Sequence, residues 1–144
     1  MARVLHVATK PGRPLLVYDG DCGFCRHWIR RWQQMTGDRV DYLPAQAERV
    51  SADFPEIPRA AFAAAVQLIE PDGSVHAGAA AVLRVLALGA DRRWPLVAYE
   101  RVPGFAATAE WAYGFVARHR GGFSLLTRWF PRRHVERPSH RLPR

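Results

Sequence analysis

A chain of 144 residues with 49% hydrophobic and 24% charged residues falls in the size and composition range of one globular domain, which excludes a fibrous or wholly disordered protein. No stretch approaches the roughly 18 consecutive apolar residues of a membrane-spanning helix. The net charge of +8 is uneven: residues 128–144 carry six arginines against Glu136 and supply +5 of it, so the rest is a modestly charged globule and not a nucleic-acid-binding surface.

Residues 1–14 hold Arg3, His6, Lys10 and Arg13 among scattered apolar residues, without the apolar core of a signal peptide. They read as an N-terminal lead on a cytoplasmic protein. Leu15, Leu16, Val17 and Tyr18 form a short apolar run ended by Asp19-Gly20-Asp21, the pattern of a buried strand and a turn. Cys25, Trp28, Ile29, Trp32 and Met35 then recur at helical spacing, and Gly37 supplies the stop. Val40, Tyr42 and Leu43 read as a second strand, broken by Pro44, with a short helix following in residues 46–54. Val66, Leu68 and Ile69 lead through the turn residues Pro71-Asp72-Gly73 to Ser74, Val75 and His76, which predicts a hairpin.

Residues 79–88 predict a helix closed by Gly89, residues 92–104 look irregular around Pro95 and Pro103, and residues 105–119 predict another helix. Trp28, Trp32, Trp111 and Phe115 are expected in the core. His27, His76 and His119 read as surface or loop residues rather than ligands. Gly121-Gly122 breaks the last helix, residues 123–130 give two further turns, and residues 131–144 read as a disordered basic tail. The order strand–helix–strand–short helix–strand–strand–helix is that of a thioredoxin-like α/β domain, a central mixed sheet flanked by helices, over residues 15–130.

The cysteines number two, Cys22 and Cys25, placed where the strand and its turn give way to the first helix. A crosslink closing so short a loop removes little freedom from the unfolded chain, so a structural disulfide explains the pair poorly. Thiol–disulfide exchange explains it better, because the thiolate is the nucleophile and a helix N-terminus stabilises negative charge. Cys22, at the helix start, is expected to attack; Cys25, one turn in and less accessible, is expected to resolve the mixed disulfide. Arg26 favours a thiolate and Asp21 opposes it. Asp19 has two readings: a carboxylate that accepts or returns the proton of Cys25, or a turn-forming acid.

The run Val17-Tyr18-Asp19-Gly20-Asp21-Cys22-Gly23-Phe24-Cys25 resembles the D-G-x-C-x-x-C signature of the DCC family of predicted thiol–disulfide oxidoreductases, whose Asp, Cys and Cys would be Asp19, Cys22 and Cys25. Tyr113, Ala117 and Arg120 are similar to the Tyr-x-x-x-Ala-x-x-Arg ending of its members. The resemblance implies a thioredoxin-like fold and exchange with a protein or small-molecule disulfide or dithiol, with no cofactor and no defined upstream reductant. This chain lacks the further C-terminal cysteine of some members and has no clear counterpart of the thioredoxin cis-proline.

Two rivals share these residues. Strand–C-x-x-C–helix also describes carriers that hold a soft metal, copper or zinc, through two thiolates. Those carriers are shorter and place a methionine where this chain has Gly20; zinc would want four ligands. The tail, with Phe123, Leu126, Trp129 and Phe130 among arginines, could touch an anionic membrane; solvated arginines are the simpler account.

Overall fold

The apolar run Leu15–Tyr18 lies inside a five-stranded sheet in the computed structural model, which describes residues 4–89 and 93–119. The strands are β1 (Leu5–His6), β2 (Leu15–Tyr18), β3 (Asp41–Pro44), β4 (Gln67–Ile69) and β5 (Ser74–Ala77). Their order across the sheet is β1-β5-β4-β2-β3. Only β2 and β3 run parallel, and the remaining pairings are antiparallel, so the sheet is mixed. The parallel pair needs a crossover, and helix α1 (Gly23–Thr36) provides it.

Strand β2 is apolar at successive positions because helices cover both faces of the sheet. Leu15 and Val17 point into one layer with Val50, Phe54, Ile57 and Phe62, from α2 (Glu48–Asp53), α3 (Arg59–Ala64) and the residues beside them. Leu16 points into the other, with Ile29 of α1 and Ala81 and Val85 of α4 (Gly78–Gly89). Strand β4 divides in the same way, Ile69 to the first layer and Leu68 to the second. Full burial of each such side chain contributes about 2 kcal/mol. The result is the thioredoxin-like α/β architecture that the sequence predicts, with Cys22 and Cys25 at the start of the first helix.

Three elements differ from the sequence expectation. Residues 5–6 of the presumed lead form an edge strand on β5, with Val7 N–H donating to Gly73 O at 2.9 Å and Val7 buried. The alanine-rich stretch before Val66 holds α3. The segment expected to be irregular contains α5 (Trp94–Arg101), because Pro95 sits in its first turn, where no intrahelical N–H partner is required. Helix α6 (Phe105–Arg118) follows as expected. No helix among the described residues is long and apolar enough to cross a membrane. The predictions for residues 123–130 and for the basic tail lie outside the described residues.

Candidate active site

Strand β2 delivers the chain to the turn Asp19-Gly20-Asp21, and Cys22 is the N-cap of α1 with extended backbone, φ −85° and ψ 114°. Its carbonyl accepts from Arg26 N at 3.0 Å, its N–H donates to Asp19 O at 3.4 Å, and its Sγ accepts from Cys25 N at 3.3 Å. The sulfur thus takes the place of a capping oxygen, on one of the N–H groups the helix cannot satisfy itself. There it meets the positive end of the helix dipole, and no acidic residue stands in the first helical turn. Cys25 lies within that turn, and both thiols are partly exposed.

The turn is held from the neighbouring strand. Tyr18 and Pro44 end the parallel pair in register, so residues 45 and 46 emerge beside residues 19–21. Ala45 N donates to Tyr18 O at 2.8 Å. The Gln46 side chain then bonds three successive residues: Oε1 accepts from Gly20 N at 2.9 Å, and Nε2 donates to Asp19 Oδ1 at 2.9 Å and to Asp21 Oδ2 at 3.2 Å. Asp19 Oδ1 also accepts from Asp21 N at 3.1 Å. The structure therefore places Asp19 in the turn that leads into Cys22, with one carboxylate oxygen committed to holding that turn. Sequence reasoning misses Gln46, which lies 24 residues beyond Cys22; the only cue is the parallel pairing, which aligns the strand ends.

On its inner side Cys25 borders an apolar hollow of about 350 Å³ between α1, α4 and α6, with Trp28, Trp32, Val66, Val82 and Val116 among its walls. Val66 is fixed there by its N–H, which donates to the Tyr113 hydroxyl at 3.1 Å. Trp32 packs against the core as expected, but Trp28 is 37% exposed at the rim, its ring tilted against Trp32 at 6.4 Å. Trp111 and Phe115 are 67% and 45% exposed, so they are not core residues. Four apart on α6, they stack on each other at 5.9 Å, while Tyr113 on another face of the helix packs against the core.

His27 and His119 lie at the surface as expected, whereas His76 is neither a loop nor a fully exposed residue. His27 is exposed edge-on to Trp28, and His119 caps α6 with its ring bonded to Phe115 O at 2.8 Å. His76 is half-buried on β5, and burial, followed by the Arg84 guanidinium, holds its imidazole below the usual value. Among the described residues no group of three or more His, Cys, Asp or Glu side chains gathers to hold a metal ion.

A family model described as DCC1-like thiol-disulfide oxidoreductase matches residues 16–125. Searches of curated proteins and of solved structures give no match. The match takes in β2 from Leu16 onward, the turn, both cysteines and every helix from α1 to α6. With the D-G-x-C-x-x-C run on a strand–turn–helix junction of a thioredoxin-like sheet, the chain belongs to the DCC1-like thiol-disulfide oxidoreductase family.

Proposed function

We infer that the protein exchanges disulfides through the couple Cys22/Cys25, with Cys22 as nucleophile and Cys25 as resolving thiol. The observation that carries this is Cys22 as the N-cap of α1 with its sulfur accepting a helix N–H, where a thiolate gains hydrogen bonding and dipole stabilisation. In the reductive direction the Cys22 thiolate attacks one sulfur of a substrate disulfide. That S–S bond breaks, a mixed disulfide forms and one substrate thiolate leaves. Cys25 then attacks Cys22 Sγ and expels the second thiolate, so the substrate gains two electrons and the protein ends as the Cys22–Cys25 disulfide. An external dithiol reverses these steps.

Asp19 Oδ1 holds the turn, and in this reading its carboxylate also returns or accepts the proton of Cys25 during exchange. The apolar hollow beside Cys25 suits a substrate that presents carbon skeleton next to its disulfide, whether a protein or a small molecule. Two cysteines in 144 residues suit a reducing compartment, which supports the cytoplasm as the site of action.

The competing use of the same pair is a soft-metal site. Purified without oxygen and treated with chelator, the reduced protein should still reduce a small aromatic disulfide at the rate of the untreated protein, and Cys22→Ser should abolish turnover. Stoichiometric copper or zinc that survives purification, together with no turnover after stripping, would move the assignment to metal carriage.

A further inference from the structure

Asparagine, aspartate and serine are the side chains that cap helix N-termini best, and cysteine is not among them. Yet in this chain Asp21, one residue earlier, leaves the cap to Cys22. The neighbouring strand's exit gives Asp21 another partner. Asp21 Oδ2 is engaged by Gln46 Nε2, and the same amide group holds Asp19 Oδ1. The two carboxylates repel each other and are drawn to the same positive helix end; one amide NH₂, with two protons to give, holds both away from it. The amide's oxygen anchors the arrangement on Gly20 N.

We propose that Gln46 is a positioning residue of the redox site: by tying up both carboxylates of the Asp19-Gly20-Asp21 turn, it reserves the N-terminus of α1 for the Cys22 sulfur. This rests on the assignment of Cys22 as the nucleophile and adds the device that keeps it one. Without the amide, Asp21 is released to cap the helix one residue early, and the sulfur loses its N–H donor. Gln46 touches neither thiol in the described hydrogen bonds; it acts through the turn.

The test is the rate at which iodoacetamide alkylates Cys22 in the reduced full-length chain at neutral pH, with the modified residue identified by mass spectrometry. Gln46→Met keeps the length and removes both donor and acceptor. It should slow alkylation about fivefold, the factor carried by one lost cap hydrogen bond. Asp21→Ala removes the competitor and should change the rate less than twofold. The double variant Gln46→Met/Asp21→Ala should recover most of the wild-type rate, a rescue that a purely structural role for Gln46 would not give.

Should Gln46→Met not fold, Gln46→Asn takes its place. It keeps the amide but is one methylene too short to span both carboxylates, and the same slowing and rescue are expected. A folded Gln46 variant that alkylates at the wild-type rate overturns the proposal, and so does a double variant as slow as the single one. Alkylation needs no turnover. A wild-type protein that shows this pattern yet reduces no disulfide would therefore sink the redox assignment and leave the role of Gln46 standing.

Discussion

A Cβ on residue 20 would sit 2.8 Å from Pro44 Cβ and 2.9 Å from Gln46 Oε1, so glycine here is a matter of space. Pro44 Cβ belongs to a ring that cannot rotate away, and the Gln46 oxygen is held by Gly20 N itself. Gly20→Ala should therefore cost about 2 kcal/mol in a denaturant titration, as overpacking does. It should also slow disulfide reduction, because Cys22 lies two residues downstream. A variant as stable and as active as wild type would show that the turn gives way freely. The placement of Asp19, Cys22 and Cys25 at a strand–turn–helix junction is legible in the sequence because one local motif carries them, and local spacing is what a sequence displays. Gln46 is not, since its partners are set by strand pairing and an amide has no signature at that distance.

The helices α4, α5 and α6 show the same division between local and distant signals. Glu110 of α6 supplies the N-terminal cap of α4, accepting from Ala80 N at 3.2 Å and Ala79 N at 3.4 Å. Gly78 lets it in, with φ +62° and a Cβ position 2.8 Å from Glu110 Oε2. Tyr99 of α5 donates to the same carboxylate at 2.7 Å; burial and then Glu110 push its hydroxyl up to about 12, so it remains a donor at neutral pH. Glu110→Ala removes a charged cap and strands the Tyr99 hydroxyl, which should lower stability by about 2 kcal/mol in thermal or urea melts. A loss below about 0.5 kcal/mol, the range of an ordinary surface change, would contradict the capping role. The same face explains the misplaced aromatics. With Glu110 and Tyr113 turned toward α4 and β4, Trp111 and Phe115 fall on the outer side, although aromatic residues four apart read as a core stripe in sequence. The helix α5 escapes a sequence search because Pro95 is read as a breaker, when at a helix start it is tolerated.

At the scale of the whole molecule, the central strands, the main helices and their order follow from apolar periodicity and turn residues, and the structure agrees with them. The edge strand β1 does not, because a two-residue strand has no period to detect and Val7 is buried only through the packing of distant elements. What the architecture accomplishes is placement. A sheet covered on both faces sends β2 and β3 out side by side, and their exits form the turn, the clamp and the helix start that carry the two thiols. In the proposed exchange Cys22 attacks and Cys25 resolves. The most direct test of that order is trapping with a disulfide substrate, read by mass spectrometry under non-reducing conditions. Cys25→Ser should accumulate a mixed disulfide on Cys22, and Cys22→Ser should accumulate none. A stable adduct on Cys25 in the Cys22→Ser protein, with none on Cys22 in its counterpart, would reverse the assignment of nucleophile.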